Sequence, residues 1–422
     1  MLRSPIGGLP GMTHKFSSRR KARRGLVLSA AAVLSSAGLA CAGEPVSAVS
    51  SRVEATPDRS RLVFTLTGGE VSPQAHVAAN PPRVIVDLPE VAFRIDPKEG
   101  RSSAGSKLIK SYRYGQFAPG RSRVVVDLLA PARIVKTACA GGLLEIELAP
   151  TSDASFSAAV ATNAAVAPPE PAAAPASPAA SPSDKPVVVI DPGHGGVDMG
   201  ATGKHGEQEK AIVFEFARAL AAKIEQGGRL KAVLTRNEDV FLPLSERVRI
   251  AHAANAALFL SIHADTLAEG HVAGATVYTV SAKASDAEAA RIAEKENLAD
   301  QAAGLESKEA VEEVGDILYD LTKRETRAFS AQFSQALIAR WKEAGSLNKN
   351  PARSAGFVVL KSYDIPSALL ELGYLSSEKD LARLMSSEWR DQAAGKTAEA
   401  IDAFFTARSR EARAPEKTQR PQ

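Results

Sequence analysis

The chain has 422 residues, with 52 Lys+Arg against 48 Asp+Glu, 45% hydrophobic and 24% charged residues. This composition excludes a wholly disordered chain, and at roughly 100–200 residues per domain the length predicts two domains. Residues 1–42 hold seven basic residues and no acid, so the remainder carries 45 basic and 48 acidic residues. The positive excess is an N-terminal feature, and no nucleic-acid-binding surface is expected.

Within that stretch, residues 26–40 form an apolar run, preceded by Lys and Arg and followed by small residues. It is shorter than the ~20 residues of a transmembrane helix. Ala40-Cys41-Ala42 fits a cleavage site, which predicts a signal peptide over 1–42 and no stable membrane span after its removal. An uncleaved anchor is the alternative. Arg19-Arg20 after Ser18 suggests the twin-arginine route, although no Phe-Leu follows. Cleavage would leave Cys139 as the only cysteine, so no internal disulfide is expected.

Residues 43–150 alternate apolar and polar positions in short runs separated by Gly, Pro and Ser, which predicts a small all-β domain of two sheets, sandwich-like. Arg83–Leu88 and Arg123–Leu128 read as one strand written twice. Either the two sheets are related by duplication, or two buried strands resemble each other by chance. This region has 14 basic and 11 acidic residues, whereas 151–422 has 31 and 37, so only the β domain suits an anionic polymer. Residues 151–185 are mostly Ala, Pro and Ser and predict a flexible linker that lets two domains act at separate places.

From 186 to 408 near-continuous apolar strands alternate with helices, the pattern of a mostly parallel sheet flanked by helices on both faces. Strands are expected at 187–190, 232–235, 258–262, 275–280, 357–360 and 368–372. Helices are expected at 209–226, 244–255, 327–344 and 388–407. The polar residues 409–422 predict a disordered tail.

Chemistry in such sheets gathers at the carboxyl ends of the strands. His194 follows the first strand in Asp191-Pro-Gly-His-Gly-Gly, His263 follows the third, and Glu371 interrupts the apolar Ala368–Leu372. Glu209 opens the first helix, where it can fold back to the same edge. Two imidazoles and a carboxylate are a common zinc set with a fourth position for water, and Glu371 could take that water's proton. Taken singly, each histidine could be a hydrogen-bonded structural residue and Glu209 a first-turn acid. Glu371 is the costliest to bury without a partner. His205, His252 and His271 lack this placement.

DPGHGG at Asp191–Gly196, Glu209-Lys210, LSERVRIAHAA from Leu244, SIHAD at Ser261–Asp265 and ELGYLS at Glu371–Ser376 resemble the zinc-dependent N-acetylmuramoyl-L-alanine amidases of bacterial cell walls. The 43–150 region is similar to the AMIN module of their periplasmic forms. The resemblance implies His194, Glu209 and His263 as zinc ligands, Glu371 as the catalytic carboxylate, and peptidoglycan as the substrate. SIHAD stands where SIHAN is commoner. A peptidoglycan deacetylase and a catalytically dead wall-binding protein are the rival readings.

More than forty residues, about 281–326, separate the strand ending at Val280 from the next expected helix, far above the usual ~2–6. They read as two helical pieces, 285–302 and 308–321, broken at Gly304. In the first, Ala289, Ile292, Ala293 and Ala299 share one face with Glu296, a carboxylate that needs a partner. The open zinc position is one candidate, and an Arg or a cap is the other. The resemblance to division amidases with an autoinhibitory helix favours the zinc, with Glu294 as the fallback. Val311, Val314, Leu318 and Leu321 form a second stripe that either packs on the core or receives an activator, of the LytM type by the same resemblance.

Overall fold

The computed structural model describes residues 44–96, 105–164, 185–267, 272–305 and 317–413. The expected signal peptide, His271, Val311, Val314 and most of the expected tail lie outside the described residues.

Alternating patterns between 47 and 150 form β1 (Ser47–Ala55), β2 (Ser60–Thr67), β3 (Gln74–Ala78), β4 (Arg83–Pro89), β5 (Ala92–Phe93), β6 (Ile109–Ala118), β7 (Arg121–Leu128), β8 (Ala132–Ala140) and β9 (Leu143–Pro150). They build two sheets, ordered β5-β1-β2-β9-β8 and β3-β4-β7-β6. One core lies between them, with Leu62, Phe64, Val84, Val86, Val124, Val126 and Ile146 all buried. The repeated strand is not a relation between sheets. β4 and β7 are antiparallel neighbours, with Arg83 opposite Asp127 and Asp87 opposite Arg123. Because each strand carries Arg first and Asp fifth, reversed pairing sets unlike charges across from one another. Arg123 Nε lies 2.7 Å from Asp87 Oδ1.

The expected linker begins as a helix, α1 (Asp153–Ala164). Alanine favours the helix, and Phe156 and Val160, four apart, anchor it to the β core. Residues 165–184 lie outside the described residues.

The second domain runs β10 (Val187–Pro192), α2 (Glu209–Gly227), β11 (Lys231–Leu234), α3 (Leu244–Ala253), β12 (Ala256–His263), β13 (Ala275–Val280), α4 (Ala287–Asn297), α5 (Ala299–Ala302), α6 (Ile317–Trp341), β14 (Leu347–Ala355), β15 (Ser367–Glu371), α7 (Glu378–Leu384) and α8 (Ser387–Arg413). Its sheet is ordered β11-β10-β12-β15-β13-β14. β11, β10, β12 and β15 are mutually parallel, while β13 pairs antiparallel to β15. Helices α2, α6 and α8 cover one face through Phe216, Leu220, Phe333, Leu337, Ile401 and Phe404. Helices α3 and α4 cover the other, where Leu244, Ala251 and Ile292 meet Phe259 and Leu369.

Three expectations change. The strand expected at 357–360 is a 3-10 turn over Val358–Leu360, and the neighbouring strand is β14, whose polar run with Pro351 reads as a loop. A proline is tolerated there because β14 is an edge strand, paired among the described residues with β13 alone. Helix α6 starts at Ile317 and so takes in the end of the second expected insertion piece, whose Leu321 is exposed. Helix α8 runs past 408 to Arg413.

The two domains are not decoupled. Phe117, Ala118 and Val125 on the outer face of the β3-β4-β7-β6 sheet share one buried cluster with Val197, Phe241 and Ala303. The Phe117 and Phe241 rings stack with centroids 5.8 Å apart.

Candidate metal centre

The register of the parallel strands decides what meets at the sheet edge. β12 and β15 place His263 beside Glu371, and β10 ends level with Ser261 and Ile262 at Asp191 and Pro192. The chain then turns through Gly193 and His194, the latter with φ 59°. Gly193 is required here, since a Cβ would stand 2.5 Å from the His263 imidazole.

Two buried guanidiniums hold this turn. Arg247 donates to Asp191 Oδ1 at 2.8 Å, to the Pro192 carbonyl at 3.0 Å and to the His194 carbonyl at 2.8 Å. Arg236 donates to the carbonyls of Pro192 and Gly193, both at 3.1 Å. Asp191 also accepts from Thr235 and Ser261. Burial opposes its charge, but Arg247 and these hydroxyls keep its pKa below the ordinary value. Burial and the nearby Arg247 lower the Arg236 pKa to about 10.

His194 Nδ1 is 2.8 Å from Asp198 Oδ2, which leaves Nε2 facing inward. Glu209, wholly buried, presents one oxygen to each ring: Oε2 lies 3.1 Å from His194 Nε2 and Oε1 3.2 Å from His263 Nδ1. The same oxygens accept from the amides of Ala201 at 2.7 Å and Ala264 at 2.8 Å, which fixes the carboxylate. Burial works against its charge, yet the two imidazoles hold its pKa well below the usual range.

The fourth group comes from the insertion. Glu296 Oε2 is 3.0 Å from His263 Nδ1 and 3.4 Å from His194 Nε2, on the buried face of α4 with Ala289, Ile292 and Ala293. Glu294 is on the exposed face. Burial disfavours protonation of His263, but Glu296 and Glu209 outweigh it and push the pKa up to about 10. On either side of Glu296, Lys295 pairs with Asp265, Asn297 Oδ1 accepts from the Val358 amide, and Asp300 Oδ1 accepts from the Leu244 amide.

Glu371 has no solvent exposure. Its Oε2 accepts from the Asp265 amide at 3.1 Å, and its Oε1 has no hydrogen-bond partner among the described residues. Burial raises its pKa well above the ordinary value, and the carboxylates of Asp265, Glu209 and Glu296 add to the effect against the opposing pull of His263.

These donors suit a metal. Among the described residues, His194 Nε2 and His263 Nδ1 are buried without an oriented hydrogen bond, and with Glu296 they lie within 4.8 Å of one another. Zinc bonds of about 2.0–2.2 Å in a tetrahedron put ligand atoms roughly 3.3–3.6 Å apart, close to the separations found here. Two imidazoles with carboxylates are a zinc-type set.

The structure brings together His194, Glu209, His263 and Glu296, with Glu371 on the strand beside His263. His205 and His252 are on the surface. Sequence reasoning missed Asp198 and the supporting role of Arg236 and Arg247. Arg247 had a signal, because it shares the buried face of α3 with Leu244 and Ala251.

An α/β domain with a His-carboxylate cluster at the strand ends, behind a small β sandwich, defines the class. Residues 188–403 match the N-acetylmuramoyl-L-alanine amidase family and residues 50–138 the AMIN domain, and the chain belongs to that amidase family. It is similar to N-acetylmuramoyl-L-alanine amidase AmiC of Escherichia coli strain CFT073, at 32% identity over 78% of this chain and 82% of that protein. It is also similar to AmiA of Escherichia coli K12, at 36% identity over 52% of this chain and 76% of that one. Among solved structures, the amidase AmiC2 of Nostoc punctiforme is 29% identical, with a TM-score of 0.39 over 53% of this chain and 99% of that chain.

Proposed function

We propose that this amidase is a periplasmic zinc enzyme that hydrolyses the bond between the lactyl group of N-acetylmuramic acid and L-alanine in peptidoglycan, for wall remodelling and daughter-cell separation. His194, Glu209 and His263 would hold the metal. The observation that carries the reading is the pair of buried ring nitrogens, His194 Nε2 and His263 Nδ1, that face shared carboxylates without an oriented hydrogen bond. No helix among the described residues is long and apolar enough to cross a membrane, and export would rest on the signal peptide expected at 1–42, by the twin-arginine or another route.

Zinc bound there would polarise the scissile carbonyl and lower the pKa of a water toward ~7. Asp198 keeps His194 in the orientation that offers Nε2. Glu371, whose burial raises its pKa above the ordinary carboxylate value, takes the proton of the attacking water and passes it to the departing amine of L-alanine. In the closed form Glu296 stands where that water must enter, so we read α4 as an autoinhibitory plug. An activator, a LytM-type protein by resemblance, has to supply about 5.5 kcal/mol of differential affinity to move a 1:99 open population to 99:1.

The test is metal analysis of the purified full-length chain and mass spectrometry of peptidoglycan digested by its Glu296→Ala variant. Zinc near one per chain and release of intact stem peptides are expected. Loss of acetate alone would make it a deacetylase, and turnover without zinc would remove the metal from the reading.

A further inference from the structure

Helix α4 ends at Asn297, and the chain continues directly into α5, whose carbonyls at Ala299, Asp300 and Gln301 accept from the amides of Ala303, Leu305 and Gly304 just beyond it. Further donors to the end of this segment come from the other domain. Arg83 of β4 donates to the Gln301 carbonyl, Arg113 of β6 to that of Ala302, and Arg123 of β7 to that of Ala303 at 3.0 Å. Three neighbouring strands thus address three successive carbonyls.

Each guanidinium is itself positioned. Arg113 Nη1 lies 2.6 Å from Asp127 Oδ2, and Arg123 pairs with Asp87 and lies over the Phe117 ring at 3.4 Å. Arg83 donates to the carbonyls of Pro81 and Ala79. The contact is closed by apolar packing, with Ala303 fully buried beside Phe117 and Val125. It extends to the metal loop, where the Val197 amide donates to the Gln116 carbonyl at 3.2 Å. The approach there depends on glycine, since a Cβ on Gly115 would lie 2.4 Å from the Gly196 backbone.

We propose that the β domain is the latch of the blocking helix: Arg83, Arg113 and Arg123 grip the end of α5 and so keep Glu296 against His194 and His263. The proposal rests on the reading of Glu296 as the blocking ligand. It assigns the β domain a regulatory duty separate from contact with an anionic polymer. Ala303 lies seven positions after Glu296, so withdrawal of Glu296 requires movement of a segment whose far end is held by another domain.

Hydrogen exchange on the full-length chain tests it, with Arg113→Ala removing one grip and Gly115→Ala wedging the surfaces apart by a single methyl. Amides of 287–305 should exchange at least tenfold faster in both variants while those of β4 and β7 stay protected, and basal turnover should rise at least threefold. Glu296→Ala is the control that separates the two ideas, since it should raise turnover through the metal site with the Arg contacts intact. Unchanged exchange in both latch variants overturns the latch, even if Glu296→Ala is activated. Faster exchange without faster turnover, while Glu296→Ala is activated, overturns it as a regulatory device. Faster exchange with Glu296→Ala inert leaves the grip standing and removes the blocking role of Glu296.

Discussion

Replacing Glu296 by alanine deletes one carboxylate and leaves the rest of the plug in place. Asp286 still caps α4, Ile292 stays buried, and Asn297 and Asp300 keep their backbone partners. If one molecule in a hundred is open, closure is favoured by about 2.7 kcal/mol, half of the full inversion. A hydrogen-bond-strength contact to a charged group contributes about 1.5–3 kcal/mol. Its loss brings the open fraction from 1% to somewhere between roughly one in ten and three in five, so basal turnover should rise about tenfold to sixtyfold and no more than a hundredfold. The assay is release of soluble stem peptides from purified peptidoglycan, with thermal melting as a check that the fold is intact. If turnover is unchanged both in this variant and after excision of 285–305, the insertion is not a lock.

Three further outcomes follow from the site. His194→Ala and His263→Ala should lose zinc and activity together, whereas Glu371→Gln keeps zinc and loses most turnover; metal loss in the Glu371 variant would show its role to be misassigned. Asp198→Ala frees the His194 ring, and zinc affinity measured against a competing chelator should fall about 10–100-fold. Arg247→Met leaves Asp191 buried without its guanidinium and should cost about 3–5 kcal/mol in denaturant unfolding, with an unmoved midpoint counting against the scaffold role.

The catalytic half was legible because strong local signals coincide with it. Apolar strands ended in His263 and Glu371, and α4 showed a carboxylate on its apolar stripe, so each odd residue announced itself within a few positions. β14 was illegible for the opposite reason: an edge strand has one partner and no need of an apolar pattern, while Phe357–Leu360 looks like a strand because it is buried on one face of the sheet. The Arg-Asp pattern of β4 and β7 was visible but ambiguous, since complementarity across a pair and duplication between sheets write the same letters. Nothing local could show that Arg83, Arg113 and Arg123 meet carbonyls some two hundred residues away. That contact exists only once both domains are folded.

Gly115 and Gly196 lie in different domains, yet a Cβ on Gly115 would stand 2.4 Å from the Gly196 backbone, and one on Gly196 would stand 1.9 Å from the Gln116 carbonyl. A pair of this kind ties the history of two modules together. A β domain borrowed from a relative that carries even alanine at the position of Gly115 could fold, bind its own ligands and still fail to seat here. Domain exchange in this architecture is therefore not free recombination of parts: the graft must itself lack that methyl, or the recipient acquires a different resting state.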